Sequence, residues 1–476
     1  MRGMAVKLII ICAAVLCFVF DVTNSDVLAA HPNIVLIMAD DMGYGDVGCY
    51  NAESKISTPH MDGLARQGMR FTDAYAAAPV CSPTRAAIMT GLSPARLAIT
   101  NHIPDQKRFQ PDNATLRSAE TVNFLALDYV TIAEHLKRAG YATAFIGKWH
   151  LSGTRSEMKS AEPKRRPEFQ GFDRNVGGCC YGGPPSYFEP YGIPSIEARQ
   201  DGAYLTDRLA DETIDFIRKH RDRPFFIALW NYTVHWPMQA PQPLIDKYRS
   251  RTGLKDTRYA AMIEAMDGAV GRILKALDEL ELAEETLVVF TSDNGAFGGV
   301  TDLTPLRAAK GYLYEGGIRV PLIVRWPGHI EPGSICRTPV ISMDFYPTLL
   351  EVAGIQRQPH EPLDGESLLP LFKQTGPLRR TAIYFHYPNY AFHRGNRLGG
   401  AIRMGDYKLI ERYEDGSVEL YHLSKDIGEQ EDLSKQKPDL AREMKAQLDR
   451  WLRETGAKMP KPVISSQQSV VGLGRH

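Results

Sequence analysis

Five short apolar runs decide what architecture is open to this chain of 476 residues. They are Ile34–Met38, Ala142–Ile146, Phe225–Leu229, Leu287–Phe290 and Leu322–Val324. Each is continuous rather than alternating, which is how a strand buried on both faces reads. Between them lie segments with apolar residues at three- and four-residue spacing, notably Ala203–His220 and Tyr259–Leu280, the period of an amphipathic helix. Strands alternating with helices predict an α/β domain with a central, mostly parallel sheet between helices. Ligands in such sheets bind beyond the carboxyl ends of the strands. The residues that follow each run are therefore where chemistry is expected.

The two ends of the chain read differently. From Thr381 onward, Ile383–His386, Gly400–Met404, Tyr407–Tyr413 and Val418–His422 form short strand patterns, with Glu414-Asp415-Gly416 as a hairpin turn. A helical pattern over Pro438–Glu454 follows, so a small α+β C-terminal domain with an antiparallel sheet is expected. The break falls near Leu371–Arg380, giving a catalytic domain over 31–375, a small domain over 376–455 and a loose tail over 456–476. At the other end, Arg2 and Lys7 precede an apolar run over Leu8–Phe20, and Val27-Leu28-Ala29-Ala30 supplies small residues for a cut. This pattern predicts a signal peptide over 1–30 and an exported, periplasmic or secreted protein. An uncleaved anchor is the alternative, but the run is shorter than the roughly 20 residues a spanning helix needs.

The strand ends carry the side chains of interest. Asp40 and Asp41 follow the first run, and two adjacent carboxylates repel unless a cation or strong donors compensate. Asp293 and Asn294 follow the fourth run, and aspartate with an amide oxygen suits a hard cation such as calcium or magnesium. Lys148 and His150 follow the second run, His235 the third, and Lys310 lies ahead of the fifth. Taken singly, each has an ordinary alternative: a turn, a cap, or a surface residue.

Cys81-Ser82-Pro83-Thr84-Arg85 opens a further helical pattern. Pro83 sits where a helix tolerates proline, just inside its start, which places Cys81 at a helix N-terminus that favours negative charge. A free cysteine is otherwise commonly a buried structural thiol. Lysine plus arginine, at 56, equals aspartate plus glutamate, at 56, so no net field points to nucleic acid or an anionic membrane surface. Anion chemistry must come from local placement.

From Ile34 to about Leu433 the chain resembles the type I, formylglycine-dependent sulfatases of the alkaline-phosphatase-like superfamily. The resemblance rests on Cys81-x-Pro83-x-Arg85, on Thr90-Gly91-Leu92-Ser93-Pro94-Ala95-Arg96, and on Gly147-Lys148-Trp149-His150, His235-Trp236-Pro237 and Lys310-Gly311 in that order. It implies an alkaline-phosphatase-like large domain and a sulfuric ester hydrolase similar to bacterial arylsulfatases and N-acetylgalactosamine sulfatases. It implies that a maturation enzyme converts Cys81 to formylglycine (3-oxoalanine), whose hydrate attacks sulfur. One calcium ion is implied at Asp40, Asp41, Cys81, Asp293 and Asn294. Arg85, Lys148 and Lys310 would stabilise charge, His235 and Lys310 would serve the leaving alcohol, and His150 would take the proton that lets sulfate leave.

The substrate implied is a sulfated carbohydrate, with a lean towards galactose or N-acetylgalactosamine sulfate, or an aryl sulfate. His102, His386, His393 and Arg394 are the candidate sugar contacts. No nucleic acid and no stable membrane span are expected. A formylglycine-dependent phosphonate or phosphate ester hydrolase is the nearest rival, and a non-catalytic glycan-binding protein the rival from another class. Outside the leader, Cys49, Cys179, Cys180 and Cys336 remain beside Cys81, an even number that allows disulfides without fixing a pairing.

Overall fold

A computed structural model describes residues 31–104, 107–356, 361–393 and 395–463. The expected signal peptide over 1–30, Arg394 and residues 464–476 lie outside the described residues. The central sheet has eight strands: β1 (Asn33–Ala39), β2 (Met69–Phe71), β3 (Ala142–Gly147), β4 (Arg174–Val176), β5 (Phe225–Trp230), β6 (Thr286–Ser292), β7 (Leu322–Arg325) and β8 (Ser334–Cys336). Their order across the sheet is β8-β2-β7-β6-β1-β5-β3-β4. From β6 to β4 neighbouring strands are parallel, whereas β7 runs antiparallel to both β6 and β2.

The five apolar runs all become strands of this sheet. Their continuity has the expected cause: β1 sends Val35 and Ile37 into one core and Ile34, Leu36 and Met38 into the other. The first core packs helices α2 (Leu205–Lys219) and α3 (Thr257–Glu279) on one face; the second packs α1 (Cys81–Thr90) on the other. Helices on both faces leave the carboxyl ends of the parallel strands as the open edge of the layer.

Four antiparallel strands, β9 (Ala382–Tyr387), β10 (Gly399–Met404), β11 (Tyr407–Arg412) and β12 (Val418–His422), make the C-terminal sheet. One face takes α4 (Pro438–Glu454) through Ile402, Leu409 and Leu420 against Met444 and Leu448. The other face packs Phe385, Ala401 and Ile410 with Val80 and Ala87, which flank and belong to α1. The small sheet therefore backs the helix that begins with Cys81.

One expectation changes. The stretch from Gly456 is not loose throughout: Lys461–Pro462 pairs antiparallel with Leu116–Arg117, and Val463 N–H donates to Thr115 O. An exposed strand edge at Leu116–Arg117 supplied the partners that the tail's lack of periodicity hid. Cys49, Cys81, Cys179, Cys180 and Cys336 are all free thiols. No described helix is long and apolar enough to cross a membrane.

Candidate active site

The ends of β1, β3, β5 and β6 converge on the first turn of α1. Asp40 and Asp41 leave β1, and Asp293 and Asn294 leave β6. A straight strand would send Asp40 and Asp41 to opposite faces. Asp41 instead adopts the left-handed region, with φ of 65°, and its N–H donates to Asp293 Oδ1 at 3.1 Å. Both carboxylates thereby reach one point. His150, two residues past Lys148, makes a similar reversal at φ of 57°. Lys310 arrives from the loop after β6, its N–H held by Ala296 O while Gly311 N–H is held by Pro79 O.

Atoms from Asp40, Asp41, Cys81 and Asp293 lie within 4.8 Å of one another, and all four residues are buried. Cys81 Sγ is 3.6 Å from Asp40 Oδ1 and 3.2 Å from Lys310 Nζ. Lys148 Nζ pairs with Asp40 Oδ2 at 2.6 Å, Lys310 Nζ with Asp41 Oδ1, and Arg85 grips Asp293 Oδ2 through Nε at 2.9 Å and Nη2 at 2.6 Å. Arg85 also lies over the Trp230 ring, 5.5 Å from its centroid. Three carboxylates thus face three cations, all of them buried side chains.

Burial is the largest influence on each titration here, and it sets the sign for Asp40 and Cys81 while neighbouring charge overturns it for Asp41 and Lys310. Burial pushes the Asp40 carboxyl up to about 8, with Lys148 opposing and Asp293 and Asp41 adding to the rise. Burial also opposes the charge on Asp41, but Lys310 and His235 outweigh it and hold that carboxyl below its ordinary value. Burial disfavours the Lys310 ammonium as well, yet Asp41 and the other anions keep it charged and raise its pKa. The Cys81 thiol goes up to about 12 through burial despite the lysines beside it.

The donor set passes a direct test for a hard cation. Asp41 Oδ2 and Asn294 Oδ1 are buried and have no hydrogen-bond partner among the described residues. Buried polar atoms in folded proteins are nearly always satisfied, so two orphaned oxygens in this group of carboxylates fit the donor set of a divalent ion. The three carboxylates and three cations cancel, so such an ion would leave the pocket positive and receptive to an anionic ester.

The two histidines differ in setting. His150 is 2% exposed, and burial, then Lys148, holds its pKa well below the usual value. Its Nε2 faces Ile103 O, while Nδ1 is buried without a partner among the described residues, a lone pair free to accept a proton. His235 keeps a quarter of its side chain exposed, with Nδ1 2.9 Å from Trp236 O and Nε2 3.8 Å from Asp41 Oδ2.

The candidate sugar contacts separate. His102 and His393 lie beside the cluster of Asp41 and Lys310: both of these perturb each ring, after burial has lowered its pKa. His386 is not brought there. It is 2% exposed, with Nδ1 2.8 Å from Tyr413 Oη and Nε2 3.1 Å from Lys458 O, so both ring nitrogens are spent on packing between β9 and the C-terminal segment. Its place on a strand whose neighbouring residue, Tyr387, does face the large domain explains the misplacement. Sequence reasoning missed Ser82, which accepts from Ile103 N–H and donates to His150 O, tying the histidine's segment to the loop beneath it. It also missed a group of aromatic rings around Phe392; nothing local in the sequence marks them.

A sequence model described as Sulfatase matches residues 32–355, and one described as N-sulphoglucosamine sulphohydrolase, C-terminal, matches 308–456. The chain is 35% identical to arylsulfatase A of Homo sapiens over 423 residues, covering 80% of this chain and 75% of that protein. It is 34% identical to N-acetylgalactosamine-6-sulfatase of Rattus norvegicus over 412 residues, covering 79% and 71% respectively. A crystal structure of Ps i-CgsB in complex with k-i-k-neocarrahexaose is similar at a TM-score of 0.76 and 30% identity, covering 89% of this chain and 93% of that one.

Proposed function

This chain belongs to the sulfatase family and is a sulfuric ester hydrolase, and from that premise we propose a formylglycine at Cys81, one calcium ion at the carboxylates, and a sulfated carbohydrate as substrate. The observation that carries the proposal is the convergence of Cys81 Sγ with Asp40, Asp41 and Asp293 inside 4.8 Å. A thiol held up at about 12 is a poor source of thiolate at neutral pH, which favours a converted side chain over cysteine itself as nucleophile. As formylglycine, Cys81 supplies an aldehyde hydrate for in-line attack on sulfur. A hard cation would be held by Asp40, Asp41, Asp293 and Asn294 and would supply Lewis-acid stabilisation of negative charge.

The remaining work falls to this chain's own side chains. Lys148 and Lys310 present buried ammonium groups where charge grows on the sulfate and leaving oxygens, and fixed charges in a dry site stabilise that growth strongly. Arg85 is consumed by Asp293 and by Lys148 O, so it orients the carboxylate and the strand end rather than reaching substrate. His235, part-exposed at the rim, stands with Lys310 at the leaving alcohol. His150 offers its free Nδ1 as the base that takes a proton from the nucleophile's second hydroxyl and lets sulfate depart.

A carbohydrate substrate draws support from the relative named N-acetylgalactosamine-6-sulfatase and from the structural neighbour bound to a carrahexaose. Export, with a cut after Ala29 or Ala30, rests on the charged and apolar pattern of residues 1–30. The test is mass spectrometry of the Cys81 peptide, expected about 18 Da lighter than with cysteine, combined with a panel of defined sulfated mono- and oligosaccharides. Full activity in Cys81→Ala would remove the proposed nucleophile.

A further inference from the structure

Six rings drawn from four distant segments meet beside Lys310. His102 and Phe109 contact Phe392 at centroid distances of 6.1 Å each; Phe297 stacks on Phe392 at 5.3 Å; and His393 contacts Phe392 at 4.7 Å and stacks on Tyr312 at 5.4 Å. Lys310 Nζ, 3.2 Å from Cys81 Sγ, lies 5.7 Å from the centroid of Phe392. Phe109, Phe297, Phe392, Tyr312 and His393 are only half-buried. An apolar wall therefore borders the reacting centre and remains open to solvent.

His393 gives this wall a polar point. Its Nε2 is buried and has no hydrogen-bond partner among the described residues. A neutral imidazole protonated on Nδ1 leaves Nε2 as an acceptor. The segment is fixed in place by Asn396, whose side chain donates to Gly311 O at 2.7 Å and accepts from Ala391 N–H at 2.8 Å.

Resting on the carbohydrate reading above, we propose that Phe392 and His393 determine specificity by recognising the sugar ring that carries the sulfate. The C–H face of a pyranose stacks on Phe392, and one ring hydroxyl donates to His393 Nε2. Phe392 borders Lys310, which itself touches Cys81, so the sugar ring stacked there is the one that carries the ester. An aryl sulfate satisfies the wall but leaves Nε2 unpaired, and a site built around an acceptor discriminates against ligands that lack the donor.

The experiment measures kcat/KM for the mature enzyme and its variants on a sulfated monosaccharide, on its singly deoxygenated analogues, and on 4-nitrophenyl sulfate as reference. In His393→Ala the sugar-to-aryl ratio should fall roughly tenfold, the worth of one hydrogen bond. His393→Gln, which keeps an acceptor, should hold the ratio within about threefold. One deoxy analogue should cost the parent enzyme that same factor yet cost His393→Ala almost nothing more, the non-additivity expected of a direct partner. Phe392→Leu should raise KM for the sugar more than it lowers kcat. An unchanged ratio in His393→Ala, or additive losses for every deoxy analogue, overturns the proposal while carbohydrate sulfatase activity stands. Turnover of aryl sulfate with no sugar sulfate accepted by the parent enzyme overturns the carbohydrate reading and this inference with it.

Discussion

Lys408 offers the sharpest test of how the two sheets are joined. It lies on β11, is fully buried, and places Nζ 2.8 Å from Glu315 Oε1 and 2.8 Å from Glu429 Oε1. Glu429 Oε2 in turn accepts from Glu315 N–H at 2.7 Å, and Glu315 also holds Arg319 at 2.9 Å. Lys408→Met keeps the volume but leaves two buried carboxylates facing each other with one cation fewer. Breaking a buried pair by removing one partner costs about 3–5 kcal/mol. The loss should depend on pH. Burial pushes Glu429 up to about 7, with Lys408 opposing and Glu315 adding, so without Lys408 its carboxyl rises further. A carboxyl raised in the folded state favours folding as pH falls, so Lys408→Met should be hurt more at pH 8 than at pH 6.5. Glu429→Gln combined with Lys408→Met removes the facing charges together, and the double variant should be less damaged than the sum by about 2 kcal/mol. Denaturant midpoints at the two pH values, for the parent, both single variants and the double, make the measurement. A wild-type midpoint for Lys408→Met at pH 8, or strictly additive losses, would refute the reasoning.

Three further outcomes are expected. Exhaustive chelation should abolish turnover and lower the thermal midpoint; calcium should restore both better than zinc, because binding at a hundred times Kd adds about 2.7 kcal/mol to the folded state. His150→Ala should still release a first burst of alcohol but fail to turn over, whereas His235→Ala should slow the burst itself, most for sugars with poor leaving groups; equal bursts in pre-steady-state kinetics would contradict the assigned roles. His386 is lowered by burial to about 4 from its usual 6.5, so the stability it contributes is complete above 6.5 and drains away as pH falls towards 4. That is at most about 3 kcal/mol, and the fall of the denaturation midpoint between these pH values should be shallower in His386→Gln.

Much of this was legible because the informative residues were local to strong signals. A strand buried on both faces writes a continuous apolar run, and β1, β3, β5 and β6 each did so with the side chains of the candidate site attached to their ends. The short strands β2 and β8 were not legible: Met69–Phe71 and Ser334–Cys336 have three residues each and mix exposures, too little for any period to show. His386 shows a different limit. A histidine's type says nothing about which face of its strand it occupies, and here Tyr413 and Lys458, distant in sequence, claimed both nitrogens. The aromatic wall was invisible for the same reason, since Phe109, Phe297, Tyr312 and Phe392 meet only after the chain has folded.

The C-terminal sheet that backs α1 has a consequence for timing. Cys81 is 2% exposed and begins a helix whose residues are all buried, and Val80 and Ala87 share a core cluster with Phe385, Ala401 and Ile410 of the C-terminal sheet. No enzyme can work on that thiol in the finished molecule. The proposed conversion of Cys81 must therefore happen while the segment is still extended. The strands that seal it lie far down the chain from Cys81, so the segment stays within reach of a maturation enzyme until they dock. Once β9 to β11 dock, that interval ends, and a molecule that folds early keeps its cysteine for good.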